Sequence, residues 1–228
     1  MSDERFVHAL LLRLDPAWRR LAAIERQADI EAFCAAAART DGRLMQHAYS
    51  TIGLRAEGDL LLWRMADTIE DVEETAADLL TSGIGRWLTP AISMIGLTRP
   101  SQYVKRPTAQ EQSLFTGDRT RYLVVYPFVK STEWYLTPVE ERSQIMRGHM
   151  KVGHAYPQVR QLLAYSFGLD DQEFIVAYET DDLVAFQDLV RELRETESRR
   201  STIRDTPIIT GIHRPLGDVL TLLSGADR

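Results

Sequence analysis

The chain has 228 residues, 44% hydrophobic and 26% charged, so it holds enough apolar material to bury a core as one large or two small domains. Its 27 Lys and Arg against 33 Asp and Glu give a formal net charge of -6, which argues against a generally basic nucleic-acid surface and leaves only a local basic pocket open. Cys34, the single cysteine, excludes an internal disulfide and a cysteine-rich zinc site; no apolar run nears the ~18 residues of a bilayer span, and the start Met1-Ser2-Asp3-Glu4-Arg5 is polar, so the expectation is a cytoplasmic protein with no membrane span.

Phe6–Leu14 is a short Leu- and Val-rich run that predicts a largely buried strand. Ala17–Thr40 follows with good helix formers, a core stripe of Leu21, Ile24, Ile30, Phe33 and Cys34, and Gly42 as a stop. Two strands are expected next, Leu44–Gly53 and Asp59–Met65, joined through Arg55-Ala56-Glu57-Gly58, with a register the pattern leaves open. Asp67 and Thr68 then cap a helix over Ile69–Ser82, whose acidic residues crowd the positive end of the helix dipole. Trp87–Leu97 closes the set, giving β-α-β-β-α-β over about 95 residues, the order of a ferredoxin-like unit.

Arg99–Arg119, with Pro100, Pro107 and Gly117 among polar residues, reads as a connection. Connections of roughly 15 or more residues are often binding loops. Arg99, Lys105, Arg106 and Arg119 suit an anionic ligand, although a solvated linker is the plainer reading. The second half repeats the first: a strand over Arg121–Lys130, a helix over Pro138–Ala155, strands over Leu162–Gly168 and Glu173–Tyr178, a helix over Asp182–Arg194 and a last strand over Pro207–His213. Leu60-Leu61-Leu62-Trp63-Arg64-Met65-Ala66-Asp67 matches Phe174-Ile175-Val176-Ala177-Tyr178-Glu179-Thr180-Asp181 as a strand running into an Asp-capped helix, which supports a structural duplication. The expected domains are 1–98 and 120–228, with 99–119 between them.

No GxGxxG, Walker loop, HExxH, CxxC or GxSxG occurs, so chemistry must rest on scattered residues. His149 shares an apolar helix face with Ile145, Met146 and Val152, where a neutral imidazole can bind an axial position of haem iron; a core histidine is the plainer reading of that pattern. His154 lies about 140° around the helix and does not converge with it. Tyr126 sits on one strand face with Val124, Phe128 and Lys130. Its phenol can give a proton or form a radical beside a cofactor, or serve only as core. Lys130 can bind a carboxylate or face water; Arg160 and Gln161 can reach a pocket or lie on the surface. Arg191-Glu192-Leu193-Arg194-Glu195-Thr196-Glu197 reads as a solvated helical face.

Tyr126-Pro127-Phe128-Val129-Lys130, Glu133-Trp134-Tyr135, Glu141-Arg142, His149, Gly168-Leu169-Asp170-Asp171-Gln172-Glu173-Phe174 and Asp205-Thr206-Pro207 together resemble the chlorite dismutase family. The resemblance is specific over residues 121–215 and mainly architectural in the N-terminal half. It implies an α+β fold in which tandem ferredoxin-like domains form a dimeric α+β barrel within one chain, haem held by the C-terminal half, and homo-oligomeric rings, pentamers among them. It places His149 as the proximal iron ligand, Trp134 beside the porphyrin, and Glu197 at a carboxylate that orients His149.

The family divides into dismutases, which turn chlorite into chloride and dioxygen on haem b, and coproheme decarboxylases, which convert two propionates of iron-coproporphyrin III into vinyl groups. The decarboxylases resemble this chain in carrying tyrosine before the proline of the strand, here Tyr126. The dismutases carry a distal arginine, and the match puts Gln161 there; a shift of one residue would substitute Arg160. The resemblance therefore implies peroxide-dependent decarboxylation of iron-coproporphyrin III to haem b. Hydrogen peroxide would oxidise the iron on His149, Tyr126 would pass through a radical that takes hydrogen from a propionate, and Lys130 would hold or polarise that propionate. Alternatives are a dismutase-type haem b enzyme and a non-enzymatic haem-binding barrel. Nothing matches the distal histidine of some actinobacterial decarboxylases.

Overall fold

The computed structural model describes residues 4–40, 42–100, 103 and 118–225. The chain divides into two units, Met1–Thr98 with Thr210–Arg228, and Arg99–Ile209. Lys105, Arg106, Pro107 and Gly117 of the expected connection lie outside the described residues.

In the first unit the Leu-rich run forms β1 (Phe6–Leu14), as its pattern predicts. The long helix expected from Ala17 is broken. Asp15 Oδ1 accepts from Ala17 N at 2.8 Å and Pro16 presets φ, which winds Pro16–Arg20 into a 3-10 turn. α1 (Ala23–Ala38) starts only after Leu21 and Ala22, where the Glu25 carboxylate accepts from Ala22 N at 2.9 Å. The break turns Trp18 into the core, its indole N–H donating to Asp29 Oδ2 at 2.8 Å, and leaves Ile24, expected inside, on the surface. β2 (Leu44–Ser50), β3 (Leu60–Ala66), α2 (Ile69–Thr81), a 3-10 turn over Gly83–Trp87 and β4 (Leu88–Thr98) follow. Thr68 is the cap of α2, its Oγ1 accepting from Asp71 N. The strands are antiparallel in the order β4-β1-β3-β2. Leu10, Leu12 and Leu14 of β1 meet Phe33, Leu62, Leu79 and Ile84 in a fully buried core.

The second unit comprises β5 (Tyr122–Lys130), α3 (Thr132–Leu136), α4 (Val139–His154), β6 (Arg160–Tyr165), β7 (Phe174–Thr180), α5 (Leu183–Glu195), a 3-10 turn over Glu197–Ser201 and β8 (Thr202–Arg204). These strands are antiparallel in the order β6-β7-β5-β8. One core cluster here joins Val159, Val176, Tyr178 and Leu189, with Tyr126, Phe128, Val152 and Phe186 partly enclosed against it, while Leu123, Val125, Ile175 and Ala177 are buried as well.

The last strand expected over Pro207–His213 forms as one strand that starts at Ile209. β8 lies beside β5, Pro207 has no N–H to continue a ladder, and β9 (Ile209–His213) pairs with β2 through Tyr49↔His213 and Ser50↔Ile212. α6 (Leu216–Ser224), a helix without a counterpart in the sequence reading, then packs Val219, Leu220 and Leu223 into the first core. Among the described residues no helix is long and apolar enough to cross a membrane.

Candidate functional site

Strand alternation builds the site on one face of the strands of the second unit. Tyr126 on β5 stands opposite Val176 on β7, and Tyr178 on β7 stands opposite Gln161 on β6, so Tyr126, Tyr178 and Gln161 share that face. The Tyr126 and Tyr178 rings stack with centroids 6.2 Å apart and an interplanar angle of 28°. Val152 of α4 and Phe186 of α5 pack over the same face. Burial holds the Tyr126 phenol well above its ordinary pKa, with the Tyr178 phenol and the Asp205 charge adding to the effect, so it stays protonated.

His149 projects from α4 one turn ahead of Val152, on the side packed over this face. Burial, and then the Lys130 ammonium, lower its pKa to about 4, so the imidazole is neutral at physiological pH. Its Nδ1 is buried and has no hydrogen-bond partner among the described residues. Tyr126 and His149 are both half-buried.

Lys130 ends β5 and is buried. Its Nζ donates to Ser198 O at 2.8 Å, Ser198 Oγ at 3.0 Å and Ser201 Oγ at 3.1 Å, and lies 4.5 Å from the centroid of the Trp134 ring. Burial first, then the Arg199 charge, lower its pKa to about 8 against the pull of Glu173. Trp134, buried in α3, thus packs against the ammonium of Lys130. Glu173 anchors this corner, its Oε2 accepting from Lys130 N at 2.7 Å and from the Tyr135 hydroxyl at 2.6 Å.

Two expected residues lie elsewhere. Arg160 faces away from Gln161: its Nη1 donates to Asp118 O at 2.8 Å and sits 4.0 Å from Glu179 Oε2, on the opposite side of the sheet from Tyr126. Glu197 is exposed at the start of the 3-10 turn, and it is its neighbour Ser198 that points inward to Lys130. Tyr178, Ser198 and Ser201 escaped the sequence reading; two-residue alternation from Gln161's partner strand was the signal for Tyr178, while the serines carried none.

Chemically, the face offers a neutral imidazole, a protonated phenol and a buried cation whose hydrogen bonds go to neutral oxygens and which packs against aromatic rings. Among the described residues no group of three or more His, Cys, Asp or Glu can hold a metal ion. One imidazole therefore suits a metal that arrives with its remaining ligands attached.

Comparisons with known proteins point to one family. The chlorite dismutase family model matches residues 25–214. A coproheme decarboxylase from Mycolicibacterium smegmatis is 37% identical over 172 residues, 75% of this chain and 73% of that protein. A mutant of the chlorite dismutase from Candidatus Nitrospira defluvii superposes with a TM-score of 0.89 at 26% identity, over 98% of this chain and 97% of the other. The same enzyme bound to imidazole gives a TM-score of 0.89 at 25% identity, over 98% and 97%.

Proposed function

The chain belongs to the chlorite dismutase family, and from that premise we propose that it removes two propionates of iron-coproporphyrin III oxidatively, with hydrogen peroxide as oxidant, to give haem b. Membership makes it a haem-dependent enzyme of oxidoreductase type. The observation that carries the finer reading is the neutral, unpartnered His149 imidazole and the protonated Tyr126 phenol borne by elements packed on one face of one sheet. The orphaned, buried Nδ1 fits a porphyrin whose iron takes a single protein ligand.

When bound, the iron porphyrin with peroxide supplies the oxidising equivalents. Each propionate loses one proton, two electrons and its carboxylate as carbon dioxide, leaving a vinyl group, while one peroxide takes the two electrons with that proton and one from solvent and becomes two waters. His149 gives a neutral nitrogen to the iron. Tyr126, kept protonated by burial, loses its phenolic hydrogen to the oxidant and regains one from the propionate carbon. Lys130 places positive charge near that carboxylate in a setting of low dielectric. Gln161 on the site face, with Arg160 turned away, supports decarboxylation over the dismutase reading, in which an arginine would face the iron.

A tandem ferredoxin-like duplication, closing as a dimeric barrel, is the fold reading we attach to this function. It is supported by equal intervals from Leu14 to Trp18 to Phe33 and from Lys130 to Trp134 to His149. Matching carboxylates support it too: Asp59 Oδ2 accepts from Leu14 N at 2.9 Å, as Glu173 Oε2 does from Lys130 N. The first unit fills its centre with Leu10, Leu14, Phe33 and Ile84. Tyr126, Lys130, His149 and Ser198 stand at the corresponding places in the second, so its core is exchanged for a site. Cytoplasmic placement and homo-oligomeric rings complete the proposal. Adding iron-coproporphyrin III to apoprotein and titrating peroxide, with products resolved by mass, tests it. Stepwise loss of two carboxyl groups through a three-propionate species supports it; oxygen release from chlorite without decarboxylation, or no turnover of either, refutes it.

A further inference from the structure

The helix that carries His149 is anchored mainly at one end. Of the sixteen residues of α4 only Gly153 is buried. Ile145, Met146 and Met150 stay half-buried, and among the described residues of α4 only Val152 packs against the core cluster of this unit. The helix also starts weakly, on Pro138, which gives it no side-chain cap. α5, whose Leu189 belongs to that cluster, differs in both respects: Asp182 Oδ1 accepts from Val184 N and Ala185 N at its start, and Ala185 and Leu189 are buried.

The fixed end lies just beyond His149. Gly153 sits against β6, where a Cβ on it would come 3.8 Å from Gln161 Nε2. The Tyr156 hydroxyl donates to Glu192 Oε1 of α5 at 2.6 Å, the Tyr156 ring packs against the core cluster, and Val159 is fully buried. Gly148, one residue before His149, is exposed, with open space where a Cβ would stand. Packing does not call for glycine there, and in a helix interior it weakens the helix. A helix of this length is marginal in water without a packed face, and segments with few buried contacts open at low cost.

We propose that α4 is a hinged cover, an inference that rests on the porphyrin reading above. Its length from Val139 to Lys151 lifts from the strands and unwinds, turning about the end fixed by Gly153, Tyr156 and Val159, and so admits the porphyrin to His149. A porphyrin in place gives Ile145, Met146 and Val152, which share a side of the helix with His149, the flat apolar surface they lack without it, and the cover closes. The Tyr156–Glu192 hydrogen bond holds the hinge to α5, so uptake disturbs one helix and leaves the strands in place.

The test is amide hydrogen exchange along the chain, together with porphyrin uptake followed by absorbance. In the porphyrin-free protein residues 139–151 should exchange at least about tenfold faster than α5, and loading with ferric haem b should slow them by at least as much. Gly148→Ala changes helix propensity at an exposed position. It should slow exchange in α4, and the uptake of both iron-coproporphyrin III and haem b, by about fivefold each. Tyr156→Phe should carry the fast exchange past Gly153 to Val159. Protection of α4 equal to that of α5 in the porphyrin-free protein, uptake unaltered in Gly148→Ala, or exchange beyond Gly153 unaltered in Tyr156→Phe overturns the hinged cover alone. A wild-type protein that binds neither porphyrin overturns the porphyrin reading, and the cover with it.

Discussion

Replacing Lys130 with methionine should stabilise the porphyrin-free protein while removing a site residue. The ammonium is buried, its hydrogen-bond partners are neutral oxygens, and its pKa falls from 10.5 to about 8. At roughly 1.4 kcal/mol per tenfold change in proton affinity, that drop destabilises the charged form by about 3 kcal/mol. Below about pH 8 the folded and unfolded chains both carry the charge, and the folded state bears the whole penalty. As pH rises through about 8 the folded protein gives up its proton, while the unfolded chain keeps it until about 10.5, so wild-type stability climbs relative to Lys130→Met over that window. Urea unfolding of both proteins from pH 7 to 11 measures the difference directly, because other titrating groups cancel. The variant should be more stable at pH 7, with the gap shrinking by about 3 kcal/mol towards pH 10.5. A flat difference curve, or one that widens with pH, would refute the claim that Lys130 is a buried cation kept for function.

Tyr126→Phe should bind iron-coproporphyrin III nearly as tightly as wild type yet lose peroxide-driven turnover by at least about a hundredfold; turnover near the wild-type rate in a stopped assay would take Tyr126 out of the mechanism. His149→Phe, which copies Phe33 of the first unit, should remove an acid-side loss of stability in the porphyrin-free protein. The depressed pKa of about 4 makes the wild type weaken as pH falls from 6.5 towards 4, and an unchanged acid limb in thermal unfolding would contradict that. In the first unit a Cβ on Gly85 would lie 1.8 Å from Leu79 O, so Gly85→Ala should lower stability by about 1–3 kcal/mol; an unaltered urea midpoint would show that the turn can yield.

What the sequence made legible follows from how directly a pattern reports a direction in space. Tyr126 and Lys130 were placed on one face by strand alternation, and His149 and Val152 on one side of a helix by its period. Arg160 and Gln161 stayed ambiguous because a slip of one residue exchanges the two faces of a strand, and only the pairing of Gln161 with Tyr178 resolves it. Glu197 failed for a related reason: the tight turn it opens directs Ser198 inward, and no hydrophobic period marks so short a turn. The missed helix α6 did carry signals, with Pro215 at its cap, Gly225 at φ 65° after its end, and Val219, Leu220 and Leu223 on one side.

The proposed activity depends on a single imidazole bound to porphyrin iron. Its most direct measurement is the absorption spectrum of ferric coproporphyrin III in wild type and in His149→Ala. An imidazole-ligated spectrum is expected in the first, its loss in the second, and its return when free imidazole is added. An identical spectrum in the two proteins would contradict it.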